Sequence, residues 1–153
     1  MSHHAEHVSY KTFTTTAKDA YAGLSALSKA VNDAGMDKAL TELVKIRVSQ
    51  INGCAFCLQF HITLARKLGV DQRKLDLVAV WKEAGIFSAR EMAALAWAEQ
   101  LTAIASGPVP ADAYDAMRQE FSEQEGIFLT VSIATINAWN RIGAGLAFAP
   151  PAP

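Results

Sequence analysis

Apolar residues recur at intervals of three and four along almost the whole chain, and this periodicity limits the fold to packed helices. That interval follows one face of an α-helix, whereas no stretch shows the alternation typical of a strand. Capping and turn residues divide the pattern into predicted helices over about 16–35, 37–53, 54–68, 72–83, 88–104, 111–125 and 127–148. We therefore expect an all-α, single-domain helical bundle.

The length of 153 residues suits one domain with a full hydrophobic core. We expect that domain to span 1–153, with an irregular lead over 1–15 and an extended tail over 149–153. Half of the residues are apolar and fewer than a fifth are charged, which argues against disorder. His3, His4 and His7 could bind a metal ion, but a frayed terminus explains them better.

The charge pattern excludes two classes of partner. The formal net charge is −1, so we expect neither nucleic acid nor an anionic membrane as partner.

The N-terminus "MSHHAEHVSYKTF" has no basic region followed by an apolar run, so we expect no signal peptide and a cytoplasmic location. The segment 127–148 has the length of a membrane span, but Asn137, Asn140 and Arg141 within it favour burial in the core or against another subunit.

Both cysteines of the chain lie in one short stretch, "NGCAFCLQFH". The spacings of three and four place Cys54, Cys57 and His61 on one face of the helix predicted to start there, and Leu64 and Leu68 continue that face inward. At a helix start, free backbone N–H groups and the positive end of the macrodipole favour a thiolate. This face could therefore carry redox chemistry.

Three interpretations of the stretch remain open from the residues alone. The cysteines could be ordinary buried residues beside a core histidine. They could bind a metal with His61 and a carboxylate, although structural zinc sites usually draw on two separated ligand pairs, and the chain has one. A redox pair is favoured. It is not of the thioredoxin type, because no βαβ pattern surrounds it, and not a c-type haem site, because Leu58 follows Cys57.

A longer stretch, "TELVKIRVSQINGCAFCLQFH", resembles the core motif of the alkylhydroperoxidase D family, within the carboxymuconolactone decarboxylase-like superfamily. The motif comprises Glu42, eleven intervening residues, Cys54, Cys57 and His61. The downstream "AALAWAEQLT" and "INAWNR" resemble single-repeat members, so the resemblance covers roughly 20–148. The decarboxylase branch lacks the cysteine pair. The family's archetype has a second histidine where this chain has Phe56.

The resemblance implies a thiol peroxidase that reduces organic hydroperoxides and needs neither cofactor nor metal. It gives Cys57 the role of attacking the peroxide, Cys54 the role of closing a Cys54–Cys57 disulfide, and Glu42 with His61 the role of a proton relay. From the residues alone, Glu42 would be expected on an exposed helical face. A dithiol of unknown identity would be the reductant. The alternatives are a general dithiol–disulfide oxidoreductase or redox adaptor, and a metal-binding module.

The resemblance also implies an assembly, since the archetype is a trimer of two-repeat chains and a single-repeat chain would form a trimer of dimers. The apolar final segment, with Ile127, Phe128 and Leu129 among many others, predicts more apolar surface than one small domain covers. We therefore expect a homohexamer with active sites near subunit interfaces.

Overall fold

A computed structural model describes residues 6–152 of the chain, and within that range every regular element is helical. This confirms the all-α prediction. The α-helices are α1 (Tyr10–Thr16), α2 (Lys18–Asp33), α3 (Lys38–Asn52), α4 (Ala55–Lys67), α5 (Gln72–Leu77), α6 (Trp81–Ala84), α7 (Ala89–Thr102), α8 (Ala111–Glu120) and α9 (Glu123–Gly145), and short turns of 3-10 helix occur at Val78–Val80 and Ile104–Ser106.

Several predicted helix ends coincide with the observed ones because their capping residues act as expected. The Asp37 carboxylate accepts a hydrogen bond from the backbone N–H of Ala39 at 2.8 Å and begins α3. Ser88 and Glu91 form a reciprocal capping box at the start of α7. Gly53 ends α3 with a φ of 68°, a left-handed conformation that glycine adopts at little cost.

The prediction of an irregular lead over 1–15 was wrong from Tyr10 onward, because α1 begins there. The Ser9 hydroxyl caps this helix by accepting from the N–H of Thr12 at 3.0 Å. The threonine-rich sequence hid the helix, because β-branched residues have low helix propensity. Thr15 and Thr16 therefore belong to α1, and α2 begins after Ala17 without a side-chain cap. His7 is exposed, whereas His3 and His4 lie outside the described residues.

The predicted helix over 72–83 is broken in the structure. Its backbone passes from α5 through a 3-10 turn into α6, and Gly85 ends the segment with a φ of 65°. Leu75, Val78 and Trp81 are the buried side chains, three residues apart. All three pack into one buried cluster, and the 3-10 turn at Val78–Val80 connects the two helical segments that carry the other two side chains.

The last two helices divide at a different place from the predicted one. α8 ends at Glu120 rather than at Glu125, and α9 begins at Glu123 rather than at Ile127. The reason is a capping box in which Ser122 and Glu125 satisfy each other's backbone N–H groups. α9 ends at Gly145, before Phe148, whose N–H bonds back to the carbonyl of Gly143 at 2.9 Å.

α9 is the central helix and contacts α2, α3, α4, α7 and α8. Leu129, Ile133 and Ile136 are fully buried within the chain, whereas Ile127 is 56% exposed. The apolar character of this segment is therefore explained mostly by the protein's own core. Within residues 6–152, no helix is both long and apolar enough to cross a membrane.

A buried amide network joins the end of α3 to α9. Asn140 is 1% exposed and donates to the Ser49 hydroxyl at 3.0 Å. The Asn52 amide donates to the side-chain oxygens of Asn137 and Asn140 at 2.9 and 3.0 Å. Buried polar groups are stable when paired in this way. The network fixes the backbone immediately before Cys54 against the central helix.

Candidate active site

Cys54 and Cys57 form a disulfide at the start of α4, with their Cα atoms 5.3 Å apart. Cys54 is the N-cap residue, and its sulfur accepts a hydrogen bond from the backbone N–H of Cys57 at 3.2 Å. Both residues are nearly fully buried. The predicted placement of the pair at a helix start is therefore confirmed, with one residue outside the helix and one in its first turn.

The two sulfurs rest on the backbone of α9 at Gly143. A Cβ atom on this glycine would lie 2.9 Å from the Cys54 sulfur and 3.2 Å from the Cys57 sulfur. Neither short, cross-linked side chain can move away easily. The carbonyl oxygen of Trp139, one turn earlier, is 3.7 Å from the Cys57 sulfur. Only a residue without a side chain leaves room for the pair at this point.

Glu42 and His61 meet where α3 and α4 pack together. His61 Nδ1 and Glu42 Oε2 are 2.6 Å apart, and Lys45 Nζ donates to Glu42 Oε1 at 2.9 Å. Glu42 is 5% exposed, so it does not occupy the exposed helical face expected from the residues alone. The carboxylate thus holds the histidine ring on one side and an ammonium group on the other.

The carboxyl group of Glu42 is ionised at neutral pH. Burial by itself would raise its pKa, but the hydrogen bond and charge of His61, together with Lys45, outweigh burial and hold the pKa below the ordinary 4.5. Because the folded-state pKa is lowered, the stability that this carboxylate contributes is present at neutral pH and is lost as the pH falls below about 4.5 through the lowered value.

Cys57, Glu42 and His61 line one pocket of about 730 Å³ between α2, α3, α4 and α9. Cys54 does not line it. Three of the four predicted site residues therefore face a common space, two from α4 and one from α3. The fourth, Cys54, lies against Gly143 outside that space. Leu64 continues the inward face of α4, but Leu68 is 47% exposed at the far end of the pocket.

Aromatic rings form the wall beside Cys57. Phe56 lies 4.9 Å from the ring of Tyr10 and 6.1 Å from that of Phe60, and Tyr21 lies 6.1 Å from Trp139. Burial and the neighbouring Tyr21 hydroxyl raise the pKa of Tyr10 to about 12, so this phenol stays neutral. The position of the archetype's second histidine is thus part of an apolar wall.

Some residues of the site were not predicted. A Glu and a Lys three residues apart on a helix are a pairing signal, which could have identified Lys45. Nothing local marks Gly143 or Tyr10, because both reach the site through tertiary packing. Within residues 6–152, no three His, Cys, Asp or Glu side chains are grouped in a way that could hold a metal ion.

Comparison with known proteins identifies the family. The model of the "carboxymuconolactone decarboxylase family" matches residues 18–100. The uncharacterised protein YdfG of Bacillus subtilis is 37% identical over 120 residues, which is 78% of this chain and 82% of YdfG. The chain belongs to the carboxymuconolactone decarboxylase family. The alkyl hydroperoxide reductase AhpD of Streptomyces coelicolor is 38% identical over 60 residues, 37% of this chain and 34% of that protein.

Comparison with solved structures extends the similarity to the whole fold. One is a protein of unknown function from Agrobacterium tumefaciens, described as a candidate antioxidant defence protein AhpD. It has a TM-score of 0.90 and 32% identity, over 97% of this chain and 100% of that one. An uncharacterised peroxidase-related protein from Silicibacter sp. TM1040 shares the fold at a TM-score of 0.72, with 22% identity over 84% and 70% of the chains. The resemblance to the alkylhydroperoxidase D family is confirmed.

Replacing Gly143 by alanine tests the close contact between the disulfide and α9. An alanine normally stabilises a helix by up to about 1 kcal/mol relative to glycine, whereas overpacking costs about 1–3 kcal/mol. We expect Gly143→Ala to lower the free energy of unfolding of the oxidised protein, measured by urea denaturation. Gly145→Ala is the matched control, because no atom lies within 4 Å of the added Cβ. Equal stability of the two variants would contradict the contact.

Proposed function

We propose that this protein is a thiol peroxidase that reduces organic hydroperoxides through a Cys57 sulfenic acid and a Cys54–Cys57 disulfide. The observation that carries the proposal is the pocket in which Cys57 lies with the Glu42–His61 pair. The sulfur, the proton-transfer group and an apolar wall occur together there. Similarity to an alkyl hydroperoxide reductase over the motif supports the same chemistry.

The first step is attack by the Cys57 thiolate on the outer oxygen of the hydroperoxide. The O–O bond breaks, and its electron pair leaves with the alkoxide, which takes a proton from His61 and becomes the alcohol. Cys57 is oxidised to a sulfenic acid. The ionised Glu42 stabilises the protonated imidazole before transfer and keeps the ring oriented afterwards.

The second step closes the disulfide. The Cys54 thiolate attacks the Cys57 sulfur, the S–O bond breaks, and hydroxide leaves and takes up a proton to become water. Two electrons and two protons from an external dithiol then restore both thiols. We place this cycle in the cytoplasm, where dithiol pools keep such pairs reduced. It uses no cofactor and no metal ion.

The burial of both sulfurs argues for a small oxidant rather than for a protein disulfide. Cys54 is 2% exposed and Cys57 4% exposed, so the disulfide of a folded partner could not approach either sulfur directly. A general dithiol–disulfide oxidoreductase needs such an approach. Stopped-flow oxidation of the reduced protein by an organic hydroperoxide and by a protein disulfide compares the two functions.

The roles of the two cysteines can be tested by trapping the sulfenic acid. In Cys54→Ser the sulfenic acid on Cys57 has no partner, so stoichiometric hydroperoxide should let it accumulate and react with a dimedone probe. Cys57→Ser should not be labelled. Mass spectrometry of the labelled peptide is the measurement. The Cys54 sulfur accepts a backbone N–H bond, which also favours a thiolate on Cys54. Labelling of Cys54 in Cys57→Ser, without labelling of Cys57 in Cys54→Ser, would therefore reverse the assignment.

The proton relay predicts large losses of rate without loss of structure. We expect His61→Ala and Glu42→Gln each to slow hydroperoxide reduction by roughly 10²–10⁴-fold, the usual contribution of a placed proton-transfer group. Helicity by circular dichroism should be retained. Glu83→Gln is the control, since Glu83 is exposed and lies outside the pocket. Rates like those of the wild type in both relay variants would refute the relay.

We also propose a homohexamer built as a trimer of dimers. Phe60 on α4 is 40% exposed and Leu68 just after that helix is 47% exposed, both at the pocket, and Ile51 at the end of α3 is 42% exposed. These side chains are candidates for subunit contacts close to the pocket. Light scattering at micromolar concentration should give six times the chain mass of 16.5 kDa. A monomer would contradict any assembly, and a stable dimer would contradict only the hexamer.

A further inference from the structure

The pocket is larger than peroxide chemistry alone requires. Its volume of about 730 Å³ falls within the range of roughly 300–1,000 Å³ of sites that enclose whole drug-sized ligands. Cys57 occupies one part of it, beside the aromatic wall. The rest extends along α4 and α9 to Leu68 and Ser132. The distant part must contact the body of the ligand rather than the peroxide group.

The Ser132 side chain places a buried hydroxyl in the wall of this pocket. It is 3% exposed, lies in the pocket wall, and its Oγ has no hydrogen-bond partner within residues 6–152. The neighbouring hydroxyls of α9 are satisfied: Thr130 and Thr135 donate to the carbonyls of Gly126 and Val131 at 2.8 and 2.7 Å. A buried polar group without a partner is costly. A rotation of the side chain that turns the hydroxyl toward the pocket would let a ligand oxygen satisfy it.

The position of Ser132 gives the distance of this group from the reacting sulfur. Seven residues separate it from Trp139, whose carbonyl lies beside the Cys57 sulfur. At 1.5 Å per residue, Ser132 is about 10 Å further along α9. Gly143 fixes the other end of α9 at the disulfide, so the direction from Trp139 to Ser132 leads away from the cysteines. A ligand that spans both positions carries a second polar group.

The charges around the pocket indicate the sign of that group. Both carboxylates of the wall are paired, Asp33 with Lys29 and Glu42 with Lys45. Lys38 and Lys67 also line the pocket, and neither makes an ion pair within residues 6–152. The wall therefore has two uncompensated positive charges, although the whole chain has a formal net charge of −1.

Both lysines lie toward the end of the pocket that is remote from the cysteines. Lys38 precedes Glu42 by one helical turn, and Lys67 follows Cys57 by ten residues, about 15 Å along α4. Because α3 and α4 are joined by the tight turn at Gly53, their distant ends lie on the same side of the pocket. The distance from the Cys57 sulfur to an anionic group held at these lysines would then be comparable with the length of a fatty-acid chain.

We propose that the preferred substrate is an organic hydroperoxide that also bears a carboxylate, with Lys38 and Lys67 attracting the carboxylate and the Ser132 hydroxyl donating to an oxygen of the bound ligand. This inference rests on the proposed peroxidase function, and it assigns the substrate class of the same pocket. The peroxide end lies at Cys57, and the apolar body lies against the aromatic wall.

A charge-matched pair of substrates tests the lysines. The hydroperoxide of linoleic acid and its methyl ester differ only in the carboxylate. We expect Lys38→Gln/Lys67→Gln to lower the ratio of kcat/KM for acid over ester by about three- to tenfold at low ionic strength, with the effect shrinking as salt is added. Lys18→Gln/Arg73→Gln removes two exposed charges elsewhere and should keep the wild-type ratio. An unchanged ratio in the first variant overturns the inference.

The role of Ser132 is tested with Ser132→Ala and two substrates, the linoleic acid hydroperoxide and tert-butyl hydroperoxide. The second substrate has no further oxygen-bearing group. The ratio of kcat/KM for the acid over this substrate should fall by about two- to tenfold, as for one lost hydrogen bond. An equal loss for both substrates means a structural role and overturns the assignment of Ser132.

Calorimetry with the corresponding hydroxy acid, which is the reaction product, separates failure of the inference from failure of the proposed function. If the wild-type protein binds the hydroxy acid more tightly than its ester but consumes none of the three hydroperoxides, the proposed peroxidase function is wrong and the inferred ligand class still holds. Equal or absent binding of the acid and the ester would overturn the ligand class, whatever the activity.

Discussion

The contact between the disulfide and the backbone of α9 determines the arrangement of the whole site. Gly143 lets two sulfurs approach a helix axis more closely than any side chain would permit. This approach places Cys57 beside the Trp139 carbonyl and leaves its other side facing the pocket. From this contact α4 continues along the pocket, and its residues His61 and Leu64 form part of the pocket wall. The orientation of the site therefore follows from one glycine in a helix.

The buried carboxylate of Glu42 is the second constraint, because an ionised group in the interior is stable only when its charge is paired. His61 from α4 and Lys45 from its own helix supply that pairing. The same contacts that make the burial tolerable also fix the orientation of the imidazole in the pocket that Cys57 lines. Packing of α3 on α4 therefore brings the Glu42–His61 pair together by itself.

The helical class and most helix ends could be predicted because they depend on local signals such as Asp37, Ser88 and Gly53. Two differences have equally local causes: a capping box at Ser122 starts α9 earlier than its apolar pattern indicates, and the low helix propensity of threonine masks α1, which its cap and aromatic packing stabilise. The four residues of the motif could be listed from the sequence, but their mutual geometry could not.

Gly143 and Ser132 lay beyond prediction for a different reason. Each is an ordinary small residue of an apolar helix by any local criterion. Gly143 matters because the sulfurs of Cys54 and Cys57 pack against it, and Ser132 matters because α2, α3 and α4 form a pocket beside it. Helical periodicity gives the face that a residue occupies. It does not give the separation of two helix backbones, which decides whether a glycine is required or a hydroxyl is left unpaired.

The two sulfurs are placed differently, and the difference suits both halves of the proposed cycle. Cys57 faces the pocket, so in the proposed cycle its thiolate attacks the peroxide there, and the later reductant must attack the Cys57 sulfur from the same side. When a reductant thiolate attacks Cys57, Cys54 leaves as a thiolate, and the backbone N–H of Cys57 is already directed at its sulfur. A thiol whose anion is stabilised leaves faster. In the proposed cycle, the helix start therefore assists reduction through Cys54, while the pocket confines oxidation to Cys57.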